Sequence, residues 1–140
     1  MNQQIHHLFV YGSLLSGLQH PAYAYVSRHF TLVSPATTPG NIYDMGEYPG
    51  AVPGHPPALI HGELYKVNHA DEFSFAIKQL DDYEGFLVEP GEVPLFRREP
   101  VDVNHNNAIT TAWIYWYNRA VAGCTLIPNG DALTYWKQKG

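Results

Sequence analysis

The chain has 140 residues, 45% of them apolar, which suits a single domain over residues 1–140 with a core of its own. Eight basic residues against 13 acidic leave a formal charge of -5, and apart from Arg97-Arg98 the basic positions are scattered, so no electrostatic footprint for nucleic acid is present. Ten Tyr, 6 Phe and 3 Trp with only 15% charged residues argue against disorder and for a sheet-rich fold, while 12 Gly and 11 Pro imply many turns.

No stretch reaches the roughly 18 apolar residues of a membrane span, and Met1-Asn2-Gln3-Gln4 lacks the basic-then-apolar order of a signal peptide. The expectation is a cytoplasmic protein with no membrane partner, acting on small molecules. Its single Cys124 rules out an internal disulfide framework, fits a reducing compartment and reads as a small apolar filler. Oligomeric state is not legible in the sequence.

Residues 5–10 predict a first buried strand, since four of the six are apolar and Gly12 punctuates the run. Gly12 tolerates backbone angles forbidden to other residues, so the amides of Gly12, Ser13 and Leu14 can turn inward together as a concave nest for an anion. A carboxylate suits it better than a phosphate, because no Lys or Arg lies between Met1 and Ser27 and no Gly-Lys-Ser/Thr ending follows. The alternative is an ordinary strand-to-loop junction with no ligand.

Residues 20–26 predict a short helix with Pro21 in its first turn, and residues 30–33 a second strand. Residues 38–54 are dense in Pro and Gly yet carry Ile42, Tyr43, Met45, Tyr48 and Val52, which predicts a strand, a turn and a short strand folded on the core and not a linker. Residues 58–67 alternate as a strand. The period then changes: Asn68 is a candidate cap, Asp71 and Glu72 suit the positive end of a helix, and Phe73, Ala76, Ile77 and Leu80 fall on one face.

That helix runs into Gln79-Leu80-Asp81-Asp82-Tyr83-Glu84-Gly85-Phe86, where Gly85 suits the left-handed position past a helix end. Glu84 is then expected at the negative end of the helix close to Asp81 and Asp82. Both influences disfavour an ionised carboxylate and would move Glu84 toward a useful base at neutral pH. The alternative is a solvated acidic helix terminus. Residues 94–103 and 109–117 predict two long strands joined by a turn over residues 104–107, the second being the most apolar run and so expected to be central. Residues 127–136 predict a turn and a single helical turn.

Three stretches, Val10-Tyr11-Gly12-Ser13-Leu14, Leu80-Asp81-Asp82-Tyr83-Glu84-Gly85-Phe86 and Ala112-Trp113-Ile114-Tyr115-Trp116-Tyr117, together resemble the gamma-glutamylcyclotransferase-like superfamily, which includes gamma-glutamylamine cyclotransferases and the plant AIG2-like proteins. Order and spacing agree along about residues 7–118, and Tyr43-Asp44-Met45-Gly46-Glu47-Tyr48-Pro49 is similar to the family's second loop. The resemblance implies an α+β fold: a small mixed sheet curled into a barrel with flanking helices. It implies that the backbone of Tyr11, Gly12, Ser13 and Leu14 holds the α-carboxylate of a gamma-glutamyl substrate and that Glu84 is the general base. It implies release of 5-oxoproline with no metal and no organic cofactor. Two departures bear on the substrate: Phe96 stands where an aromatic hydroxyl before an Arg is often seen, and Gly54-His55-Pro56-Pro57 lengthens a loop. If Glu84 were not the base, Glu47 and Glu63 would be the next carboxylates to consider.

Rival chemistries find less support. The eight His residues (positions 6, 7, 20, 29, 55, 61, 69 and 105) show no paired helical spacing with a carboxylate that would suggest a metal enzyme. Cys124 has no surrounding motif of a nucleophile. The serious rival is a non-catalytic binding module of the same fold that holds a gamma-glutamyl or other carboxylate ligand.

Overall fold

Successive residues of a strand face opposite ways, and in strand β1 (His7–Val10) Leu8, Phe9 and Val10 are all buried, so this strand is covered on both sides. A computed structural model describes residues 5–11, 26–45, 49–83 (backbone alone at 81–83), 96–118, 120–127, 130–132 and 134–135. Strand β2 (Phe30–Asp44) is followed by β3 (Pro49–Pro53), β4 (Leu59–Val67), helix α1 (Phe73–Tyr83), β5 (Phe96–His105), β6 (Ala108–Tyr117) and β7 (Thr125–Leu126).

The strands close on themselves. β1 runs antiparallel to β4, with Val10 opposite Glu63, and parallel to β6 at Leu8 and Trp113. β4 continues to β2, β6 to β5, and β5 meets β2 again at Thr37 and Asn104. The result is a mixed five-stranded barrel, β2-β4-β1-β6-β5, with β3 and β7 paired to the far half of β2. This is the barrel-like α+β fold that the resemblance implies. The closing seam between β2 and β5 is short, and the fully buried Thr38 reinforces it by donating from Oγ1 to the Asp102 carbonyl at 2.9 Å.

Alternation sorts the core into two layers. Phe9, Tyr11, Ile42, Ile60, Leu64 and Trp116 belong to a cluster inside the barrel. Leu8, Val10, Tyr65, Phe96 and Tyr115 face outward under Ala76, Ile77 and Leu80 of α1. Those helix positions recur at the predicted spacing, and burial of Ile77 and Leu80 is worth roughly 1.5–3 kcal/mol each.

Three local expectations need correction. Residues 30–44 form one 15-residue strand and not two pieces, with a register shift between Leu32 and Ser34. Asn68 does not cap the helix: a 3-10 turn (Ala70–Glu72) precedes α1 with His69 at its cap, while Asn68 donates its N–H to His29 and accepts at Oδ1 from the Thr31 hydroxyl. β5 and β6 extend to His105 and from Ala108, leaving a two-residue turn whose Asn106 and Asn107 take φ of 48° and 65°, the left-handed pair a tight hairpin prefers. Of the helix expected over residues 20–26, only Val26 is described. Among the described residues no helix is long and apolar enough to cross a membrane.

Candidate active site

Tyr11 is the first residue beyond β1, and period two turns its side chain into the barrel with Phe9. Its hydroxyl donates to the Tyr115 carbonyl and accepts the Ala51 N–H at 3.3 Å. One phenol therefore joins β1, β6 and β3 at the point where the chain leaves the sheet toward Gly12. Gly50 reinforces this junction: a Cβ there would come within 2.9 Å of the Tyr117 ring, so only a glycine lets β3 lie so close over β6.

Gly12, Ser13, Leu14 and Glu84, the other residues expected to bind substrate or act as base, lie outside the described residues, as does Glu47. The described chain does fix where it enters both motifs. Val10 and Leu80, two positions before Gly12 and four before Glu84, belong to the same buried layer between barrel and helix. Phe96, the departure from the family's aromatic hydroxyl, sits in that layer too, edge-on to Tyr117 with centroids 5.7 Å apart. Its role is packing.

Glu63 is the fallback carboxylate, and its place was not legible from alternation alone. β4 sets it opposite Val10 on one side and Pro35 on the other, and the Tyr65 hydroxyl donates to its Oε1 at 3.0 Å. Gly62 beside it is required by space: a Cβ would fall 2.2 Å from the Val10 carbonyl oxygen and 2.8 Å from the Phe9 ring. A groove of about 450 Å³ is lined by Thr37, His61, Glu63, Asn104, His105 and Asp131 among others. A second cleft of about 300 Å³ lies beyond His61, where Pro57 of the lengthened loop faces Gly130.

The two adjacent arginines have structural partners. Arg97 bonds Glu99 at 2.9 Å, and the Arg98 guanidinium lies 4.5 Å over the Trp113 ring. Half-buried Cys124 has its Sγ 3.9 Å from the Met45 Sδ. Among the described residues no three His, Cys, Asp or Glu side chains are grouped to hold a metal ion. Burial, reinforced by Lys66, His105 and His6, holds His7 below its ordinary 6.5.

The family model described as gamma-glutamyl cyclotransferase, AIG2-like, matches residues 8–138. The chain belongs to that family. A Vibrio cholerae protein provisionally named a gamma-glutamylcyclotransferase is 36% identical over 128 residues, covering 90% of this chain and 94% of the relative. The solution structure of Escherichia coli YtfP superposes with a TM-score of 0.60 at 28% identity, over 92% of this chain and 97% of that one. YkqA of Bacillus subtilis has the same fold, with a TM-score of 0.69 and 21% identity; 98% of this chain matches 44% of YkqA. Family members thus share the barrel from which Tyr11 emerges.

Proposed function

We propose that this protein is a cyclotransferase that releases 5-oxoproline from a gamma-glutamyl amine or gamma-glutamyl amino acid. The observation that carries the reading is the anchored end of β1: Tyr11 is tied to Tyr115 and Ala51, so the Tyr-Gly-Ser-Leu stretch starts from a rigid point. In this reading the amides of Gly12 to Leu14 hold the α-carboxylate, and Glu84 takes a proton from the α-ammonium. The freed amine attacks the side-chain carbonyl, and donors near the loop, Ser13 among them, stabilise the oxyanion as it forms. As the ring closes its nitrogen gives a second proton to solvent, the carbon–nitrogen bond to the leaving group breaks, and the leaving nitrogen receives the proton held by Glu84.

Ring closure is intramolecular, so the protein needs to hold a near-attack conformer and move a proton; the chemistry calls for no cofactor. The test is incubation of the protein with a panel of gamma-glutamyl amines and dipeptides, with 5-oxoproline measured in the products. Release from at least one member supports the reading. Binding of these compounds with no 5-oxoproline from any of them would make the protein a binding module instead.

A further inference from the structure

Strand alternation gives the barrel a polar end. Two positions along their strands from Phe9, Ala36, Leu64, Val103 and Ala112 of the inner cluster stand His7, Ser34, Lys66, His105 and Thr110, one from each of the five barrel strands and each on the inward side. Direct contacts tie the ring together. His7 lies opposite Lys66 in the register of β1 and β4. His105 has its Nδ1 3.4 Å from the Ser34 hydroxyl and its Nε2 2.7 Å from that of Thr110. This mouth is the far end from Tyr11, which stands four residues along the chain from His7, about 13 Å at about 3.3 Å per residue.

Every side chain of the ring can donate a hydrogen bond, and none is a carboxylate. In a chain of net charge -5 the charges gathered here have one sign. Burial first, then Lys66, His105 and His6, hold His7 below its ordinary 6.5. Lys66 makes no ion pair among the described residues. Like charges kept together in this way repel one another, and an anion seated among them turns that repulsion into attraction. The hydroxyls can contribute as well. A neutral imidazole has one N–H and one bare nitrogen, so of Ser34 and Thr110 one receives the His105 N–H and keeps its own hydrogen free for a ligand, whichever tautomer is present.

We propose that this mouth of the barrel is a phosphate-binding site, taking inorganic phosphate or a small phosphate monoester between His7, Lys66 and the hydroxyls that flank His105. Donors set around a ring match the tetrahedral spread of phosphate oxygens better than the flat edge of a carboxylate. The site does not depend on the cyclotransferase reading, which concerns the other end of β1.

The probe is inorganic phosphate, with the ring carbon-bound proton resonances of His7 and His105 followed by NMR at an ionic strength held constant with chloride. Phosphate should shift both residues saturably and raise the pH at which His7 titrates, because a bound anion favours the imidazolium. Acetate should move them far less. Methyl phosphate binding more tightly than inorganic phosphate would identify an ester as the ligand, and the reverse order the free ion.

Lys66→Met keeps the stem and removes the charge, and should weaken phosphate binding by about tenfold or more. Lys78→Met takes the same charge from the exposed side of α1 and should leave the affinity unchanged. Both lysines are exposed, so neither variant threatens folding. No response beyond that of chloride, an equal response to acetate, or equal losses in the two lysine variants overturns the proposal.

Discussion

The Tyr11 hydroxyl donates to the Tyr115 carbonyl, joining the end of β1 to β6 across 104 positions of sequence. Because the same oxygen accepts from Ala51, replacing Tyr11 by Phe strands two main-chain groups in a buried site at once. A buried polar group left unpaired costs about 1–3 kcal/mol. Tyr11→Phe should therefore lower the unfolding free energy by about 1–3 kcal/mol in urea titration, and should also reduce kcat/KM, because the loop beyond it loses its fixed start. A variant as stable as wild type would show that the phenol contributes little.

Glu84→Gln keeps shape and hydrogen bonding but removes the basic site. With Glu84 as general base, turnover should fall by about a hundredfold to ten-thousandfold with KM nearly unchanged. Asp81→Asn and Asp82→Asn should do much less. Steady-state release of 5-oxoproline measures all three, and retention of most activity by Glu84→Gln would return attention to Glu63 and Glu47.

Gly62→Ala tests the contact between β1 and β4 beneath the groove. A Cβ at 2.2 Å from the Val10 carbonyl oxygen cannot be absorbed by a rotamer change, since the neighbour is backbone. The two strands must part, and overpacking of this kind typically costs about 1–3 kcal/mol. A lower thermal midpoint for Gly62→Ala is the expected result, and a midpoint equal to that of the wild type would show that the strands absorb the added methyl.

His7 predicts a pH dependence of stability. Its pKa in the folded protein lies below the unfolded value near 6.5, so on acidification the unfolded chain takes up its proton first. Its contribution is therefore present above about pH 6.5 and is lost as pH falls from there toward its lowered folded value. Urea midpoints at pH 7.5 and 5.5 should differ less in His7→Gln than in wild type. An equal difference would mean that other groups carry the dependence.

Much of this fold can be read from short-range pattern. The alternation in β4, the 73-76-77-80 face of α1 and the apolar run of β6 each match what the structure contains, because burial on a strand or helix face leaves a periodic record. β2 resists such reading. Pro35, Pro39 and Gly40 look like breakers, yet proline is tolerated where a strand edge lacks a ladder partner, and β5 meets this edge only at Thr37. Asn68 misleads for a related reason: its side chain has a choice of partners, and Thr31, distant in sequence, wins over the helix. At the candidate site the motif residues are visible in sequence, whereas Glu63 depends on which strand lies beside β1. That is a fact of topology with no local signature.

The seam between β2 and β5 sets how the barrel yields. β1 is paired with β4 along its whole length, but β5 meets β2 through one register pair, the Thr38 hydroxyl and the Ser34–His105 contact, so the cylinder can unroll there into an open sheet. Amide exchange should register this as a graded protection, with the β2 and β5 amides near the seam exchanging through local opening and those of β1 only when the whole molecule unfolds. A pulling force applied across that edge would load the Thr38 and Ser34 contacts first.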